Sequence, residues 1–512
     1  MSISVKHRQI LIMKPIPVNQ TTKLEQYFQE YRNHVIGSNT LVKSPYGVNE
    51  IKYADWTASG RLYEPIEKHL IKQVAPYVGN THTETNITGT SMTLAYHRAK
   101  EIIKSHVNAD PKDVLIMAGS GMTGVVNKFQ RILGLKNAQT KDANDRPVIF
   151  VSYLEHHSND ISWRETQADV EIINLSAEGN IDLNHLSQLL KKYASRRFKA
   201  AAITACSNVT GIQTPYYDVA KLMHLNNGWC FVDFACSAPY VTINMHPNDQ
   251  LCQLDAVFFS MHKFLGGPGT PVVLIFNQDL YQNSVPDNPG GGTVEWVNPW
   301  LEQQYITPTT TLGIEAREDG GTPPFYQTIK SALCIKLKEQ MGVEQILARE
   351  KEIVQTIFER LSLIPNLTIL AHKNMNRLGI ISFLIDDLHY NLGVKLLNDK
   401  YGIQVRGGCA CAGPYGHALL NISKQKSKRI TDDIDAGLAT AKPGWIRLSI
   451  HPIMSNCEID YILEAITEVA SQFTKWANEY TYLPAKNEFF HITKTFDQDH
   501  QKQVNAWFEV KL

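Results

Sequence analysis

Between residues 110 and 276, short apolar runs alternate with helical or turn-rich stretches, and this alternation constrains the fold more than anything else in the chain. The runs lie at 114–117, 148–151, 170–175, 200–205, 230–234, 257–259 and 272–276. They are short and mostly β-branched, aromatic or small apolar, so they read as buried strands. Buried strands separated by helices predict an α/β fold with a mostly parallel central sheet and helices on both faces. Ligands in such sheets bind beyond the carboxyl ends of the strands, so the residues just after each run carry the chemistry.

A chain of 512 residues is too long for one core and predicts more than one lobe. From about residue 329 the texture changes to a helix over 329–360, then short strands and helix again, which predicts a smaller α+β domain. The expected division is an N-terminal segment, 1–49, packing on the small domain, a large domain, 50–325, and a C-terminal small domain with a tail, 326–512. Leu24, Tyr27, Phe28 and Tyr31 recur at helical spacing and predict a helix over 22–34. Fifty basic and fifty acidic residues cancel, so no net field steers the chain to nucleic acid or an anionic membrane. No apolar run approaches the roughly 20 residues that span a bilayer. Before Lys14 there is only a four-residue apolar segment, too short for a signal peptide, so a cytoplasmic location is expected. Eight scattered cysteines in so long a chain do not suggest a disulfide framework.

After 114–117 comes Gly119-Ser-Gly121-Met122-Thr123-Gly124 and then a helix with Val125, Phe129, Ile132 and Leu133 on one face. Glycines let the backbone approach an anion, and a helix N-terminus offers free N–H groups. The spacing matches a dinucleotide fingerprint, but Asp142 and Asp145 precede the next strand instead of ending it. A phosphate cradle is favoured over a dinucleotide site; a bare turn is the plain alternative. After 148–151 come Glu155-His156-His157-Ser-Asn and Trp163, where adjacent histidines rarely point at one metal ion without further ligands. Asn208 follows the 200–205 run, where its amide can donate to a phenolate oxygen. Asp233, at the end of an apolar strand, needs a partner if buried. The 257–259 run leads into Ser260-Met-His262-Lys263-Phe-Leu-Gly-Gly-Pro-Gly269. Desolvation where the chain leaves the core can depress the lysine amine's pKa and make it nucleophilic; an ordinary loop lysine is the alternative.

Later segments are Gly320-Gly-Thr322-Pro, Arg406-Gly-Gly-Cys409-Ala-Cys411-Ala-Gly-Pro414 and Trp445-Ile-Arg447-Leu-Ser449. Cys409, Cys411 and His417 could belong to a zinc site, although zinc pairs usually have two to four residues between cysteines. A redox pair and plain turns are the other readings.

In their order, these segments resemble class V, fold type I pyridoxal-phosphate enzymes, the family of cysteine desulfurases and class V aminotransferases, over roughly residues 50 to 460. The resemblance implies the fold type I architecture, with pyridoxal 5'-phosphate as cofactor in the 50–325 domain. Lys263 would be the Schiff-base lysine, and His156 would stack on the ring and relay protons. Gly121, Met122 and Thr123 would cradle the phosphate, with Ser260 and His262 as further cofactor contacts. Asn208 would face the ring oxygen, and Asp233 would pair with the protonated ring nitrogen, keeping the ring an electron sink. The family commonly has Gln or His three residues after this Asp; here Cys236, a weak donor, leaves that contact to Asn208. His82 would lie near the substrate. Thr322 would reach the partner's phosphate in a homodimer. Arg447 would bind the substrate carboxylate as a bidentate fork. Cys411, five residues after Arg406, would be the nucleophile on a loop able to swing, with Arg406 favouring its thiolate.

The implied activity removes sulfur from L-cysteine, giving alanine and a persulfide on Cys411 that a sulfur-acceptor protein would take up. A class V aminotransferase, an epimerase or a C–S lyase acting on another amino acid remains open. A non-catalytic sulfur- or metal-binding protein is disfavoured by the joint presence of Lys263, His156 and Asp233. No metal, nucleic-acid or membrane partner is expected.

Overall fold

The computed structural model describes residues 22–81, 83–119, 121–136, 145–440, 442–493 and 495–510. All the apolar runs become strands: β1 Asp113–Ala118, β2 Val148–Ser152, β3 Asp169–Ile173, β4 Lys199–Thr204, β5 Trp229–Asp233, β6 Ala256–Ser260 and β7 Val272–Asn277. They form one seven-stranded sheet in the order β1-β7-β6-β5-β4-β2-β3. Strands β2 to β6 pair in parallel, whereas β7 runs antiparallel to both β6 and β1. The reason is the connection. Only residues 261–271 join β6 to β7, and a parallel crossover needs a dozen or more residues, usually with a helix. Because β7 lies between β6 and β1, β1 points the same way as β2 to β6, and their carboxyl ends share one edge.

Side chains alternate between two cores, as a strand's period of two requires. In β6, Val257 and Phe259 enter one core while Ala256 and Phe258 enter the other. Helix α1 (Lys23–Asn33) is capped by Thr22, whose hydroxyl accepts the Glu25 N–H at 3.1 Å. Helices α2 (Ile87–His106) and α3 (Met122–Ile132) belong to the large lobe. The helix expected over 329–360 is two helices, α4 (Phe325–Met341) and α5 (Val343–Leu361). Gly342, at φ +72°, ends α4 and donates to the Lys338 and Glu339 carbonyls; a positive φ is easy for glycine and breaks the run. Helix α4 lies along α2. Helix α1 rests on α5 and on the end of α4: the Thr22 hydroxyl donates to Glu352, and the Tyr27 and Tyr31 hydroxyls donate to the Gln340 carbonyl.

The smaller sheet consists of β8 (Leu367–Ile369), β9 (Ile380–Ile385), β10 (Arg406–Gly408) and β11 (Trp445–Ser449), antiparallel in the order β8-β9-β11-β10. Helix α6 (Tyr390–Tyr401) packs on it, and α7 (Asn456–Trp476) packs on α6 and α5. The C-terminal hairpin, Tyr480–Leu483 with Glu488–His491, sits on α6 through Tyr480 to Asp399 at 2.9 Å and Asn487 to the Tyr390 hydroxyl at 2.7 Å.

A strap over 51–61 joins the two sheets. Lys52 and Tyr53 pair in parallel with Ile403 and Gln404, and Thr57 N–H donates to the Ser449 hydroxyl. At the strap's other end Gly60 N–H donates to the His262 carbonyl. A Cβ on Gly60 would lie 2.0 Å from the Phe264 carbonyl oxygen, so only glycine lets the strap come this close to the Lys263 turn. Among the described residues, no helix is long and apolar enough to cross a membrane.

Candidate active site

At the carboxyl edge of the large sheet, under the small sheet, lies a cavity of about 300 Å³. Its wall gathers residues far apart in sequence: Gly121, Met122, Thr123, His156, Asn208, Asp233, Ser260, His262 and Lys263 from the large lobe, and Arg406, Cys411 and Arg447 from the small one. Each was singled out from the sequence. Thr322 is exposed in the bend before α4 and is not among the lining residues. His82 lies outside the described residues.

Lys263 stands in the one-turn helix that follows β6. It opens onto the cavity but is surrounded by protein, and burial lowers its amine below the ordinary lysine value, against the opposing pull of Cys236 and Asp233. Asp233, at the end of β5, is buried. One oxygen, Oδ1, accepts the Ala235 N–H at 2.7 Å. Burial pushes this carboxyl up to about 6, with that hydrogen bond and Lys263 opposing. A protonated heteroaromatic nitrogen beside it would relieve this cost.

Burial first, and then Lys263, lowers His156 to about 4, so its ring is neutral near pH 7. Its Nδ1 accepts the Ser158 N–H at 3.1 Å, which assigns the ring proton to Nε2. The Ser158 hydroxyl meets the Thr123 hydroxyl at 2.8 Å, tying the histidine loop to the start of α3. Gly121 is the N-cap of α3 and supplies no side-chain cap, so the first N–H groups of this eleven-residue helix are open to an anion. Below the cavity lies Glu155, to which sequence reasoning gave no role. It is fully buried and accepts from the Ser152 hydroxyl at 2.6 Å, the Thr204 N–H at 3.0 Å and the Asn159 amide at 2.8 Å. Burial pushes it up to about 8. It ties the ends of β2 and β4 together; an acidic residue just past an apolar run was the only signal.

Several contacts differ from expectation. Asn208 does not hold its amide free for a ring oxygen: Nδ2 donates to the Ala410 carbonyl at 2.7 Å, and the buried Oδ1 has no partner. Cys236 does not supply a replacement, since its thiol lies 2.9 Å from the Cys206 carbonyl. The Arg447 fork is also engaged. Its Nη2 meets Asp55 Oδ1 at 2.8 Å and its Nη1 meets the Asn208 carbonyl at 3.1 Å, leaving only the buried Nε unpartnered. Arg406 donates its Nε to the other oxygen of Asp55 at 3.0 Å. Asp55 therefore links the two arginines, a role the sequence did not announce.

Cys411 is exposed, on the cavity wall. Its loop is fastened, where the sequence suggested one free to swing: Asn208 holds Ala410, and the His157 N–H donates to the Cys411 carbonyl at 2.8 Å. His417 is no ready zinc ligand, because its Nδ1 lies 2.8 Å from the Gly413 carbonyl and its Nε2 lies 2.9 Å from the Ser427 hydroxyl. Among the described residues no three His, Cys, Asp or Glu side chains converge as a metal site requires.

The sequence profile of the family described as Aminotransferase class-V matches residues 52–462. A curated relative from Staphylococcus aureus, named probable cysteine desulfurase, is 26% identical over 395 residues, covering 76% of this chain and 90% of its own. One of the same name from Halalkalibacterium halodurans is 28% identical over 366 residues, with 71% and 84% covered. Among solved structures, the apo cysteine desulfurase of Thermococcus onnurineus superposes with a TM-score of 0.68 at 21% identity, over 86% of this chain and 98% of its own. A cysteine desulfurase of Escherichia coli gives 0.65 at 22% identity, over 82% and 94%. These structural likenesses establish the fold type I architecture.

Proposed function

The chain belongs to the class-V aminotransferase family, and from that membership we propose that it is a pyridoxal-phosphate-dependent cysteine desulfurase. The observation that carries the proposal is one cavity wall holding both the Lys263 amine and the Cys411 thiol, contributed by different lobes. The relatives' printed names support L-cysteine as the substrate.

The residues present fit the cofactor. The uncapped start of α3 suits its phosphate, the half-bonded Asp233 suits a protonated ring nitrogen, and the Lys263 amine suits its aldehyde. When bound, pyridoxal phosphate supplies an electron sink for charge developing at the substrate Cα. Lys263 Nζ, its amine lowered by burial, takes the Cα proton. Asp233 holds the ring-nitrogen proton in place. The neutral His156 ring lines the cavity and moves a proton at Nε2. Arg447 receives the substrate carboxylate on Nε and on the nitrogen that Asp55 now holds. Cys411 Sγ, as thiolate, attacks the substrate sulfur; the new S–S bond forms as the substrate's Cβ–S bond breaks. The sum is L-cysteine plus thiol giving L-alanine plus persulfide, with atoms and electrons balanced. A cytoplasmic homodimer that hands its persulfide to an acceptor protein completes the proposal.

The test is to incubate the purified holoenzyme with L-cysteine and assay sulfide, alanine and keto acid together. Sulfide and alanine are expected in equal amounts in the presence of a thiol reductant. Cys411→Ser should keep the cofactor spectrum and its shift on adding cysteine, yet lose nearly all sulfide release; Cys409→Ser should retain most of it. Keto acid as the sole product, or sulfide formation untouched by Cys411→Ser, would replace this reading with an aminotransferase or lyase.

A further inference from the structure

The Cys411 loop carries a fastening centred on a histidine that the proposed chemistry leaves unused. Ala410 and Cys411 both sit at positive φ, +51° and +56°. L side chains hold that backbone conformation only where the surroundings impose it. Here the surroundings belong to the other lobe. His157 follows the cavity histidine directly and grips the loop twice: its N–H donates to the Cys411 carbonyl at 2.8 Å, and its Nε2 accepts the Gly413 N–H at 3.0 Å. A Cβ on residue 413 would already lie 3.1 Å from that ring nitrogen, so glycine lets the imidazole lie against the backbone. Asn208, bonded to Ala410, is the third tie.

We propose that His157 is a positioning residue for Cys411, its neutral imidazole clipping the 410–413 loop to the large lobe and its protonation opening that clip. The proposal rests on the reading of Cys411 as the sulfur acceptor. The second grip requires an acceptor at Nε2. A protonated ring has N–H on both nitrogens and would face Gly413 with donor against donor. The groups facing His157 are Asp160, which favours the charged ring, Arg164 and Lys442, which oppose it, and the neighbouring His156, itself neutral near pH 7. Burial is the largest influence and lowers the ring below its usual 6.5. The clip is therefore closed at neutral pH and opens only as the pH falls through this lowered value. The backbone grip on Cys411 does not titrate, so acid loosens the loop at Gly413 first.

The test compares His157→Ala with His157→Gln, whose Oε1 can accept from Gly413 but cannot be protonated in this range. Hydrogen–deuterium exchange of the peptide covering 408–416, corrected for intrinsic rates, reads the clip. Exchange should rise in His157→Ala and return toward the unaltered level in His157→Gln. Acid should speed it in the unaltered protein and not in His157→Gln. Single-turnover persulfide formation should fall roughly tenfold in His157→Ala, about what one interdomain hydrogen bond is worth, with the cysteine-induced spectral shift unchanged. It should recover in His157→Gln and lose its acid limb. Unchanged exchange in His157→Ala, or no recovery in His157→Gln, overturns the proposal. If exchange responds as stated but the unaltered protein forms no persulfide on Cys411, the fastening is supported and the desulfurase reading fails.

Discussion

Asp55 shares one carboxylate between two guanidiniums, with Arg447 on Oδ1 and Arg406 on Oδ2. Arg447 is buried, so removing its partner leaves an uncompensated charge in the protein interior, while Arg406 is half in solvent and loses little. Asp55→Ala should therefore cost about 3 kcal/mol of stability through Arg447 alone. Arg447→Ala should act at a different step, weakening the cysteine-induced spectral shift by roughly 2–5 kcal/mol in apparent affinity. Denaturant unfolding and spectral titration separate the two; equal stability of Asp55→Ala and the unaltered protein would remove Asp55 from this role. Lys263, Asp233 and His156 were legible because each lies at or just past the end of an apolar run, at an edge where such folds bind ligands. Asp55 was not legible: its meaning lies in a contact 392 positions away, which no local pattern encodes.

At the level of elements, the strands were readable because each is a short, largely apolar run, buried on both faces except at the half-buried edge strand β3, and the antiparallel β7 follows from its short connection. The break between α4 and α5 was missed because helical periodicity continues across Gly342. Glycines of two kinds occur here, and they predict different damage. A Cβ on Gly342 would meet the end of the flexible Gln345 side chain, so Gly342→Ala should cost about 1 kcal/mol, mainly from its positive φ. A Cβ on Gly60 would meet the Phe264 backbone carbonyl, which cannot step aside without moving the Lys263 turn. Gly60→Ala should cost more than Gly342→Ala and should also loosen cofactor retention on gel filtration, which Gly342→Ala should not. Equal losses, with the cofactor retained in both, would contradict this account. The fastening of the Cys411 loop was hidden for the same reason as Asp55: Gly413 and His157 are 256 positions apart.

On the scale of the whole molecule, Thr322 is exposed and is not among the residues lining its own chain's cavity, and the proposed homodimer is what would give it a site to reach. If sites are shared across a two-fold axis, mixing Lys263→Ala with Thr322→Ala chains should recover about a quarter of full activity, since random pairing makes half the dimers mixed and repairs one site in each. Sedimentation should show a dimer at micromolar concentration; a fully active monomer would refute the arrangement. The strap over 51–61 has a mechanical consequence. Its ends are bonded to opposite lobes: the small-lobe ties run as far as Thr57, and the large-lobe tie is at Gly60, three Cα steps or at most about 11 Å further on. Thr57 and Ala58, where this tether leaves the small lobe, are themselves part of the cavity wall. Hinging the lobes apart would therefore pull that wall out of shape.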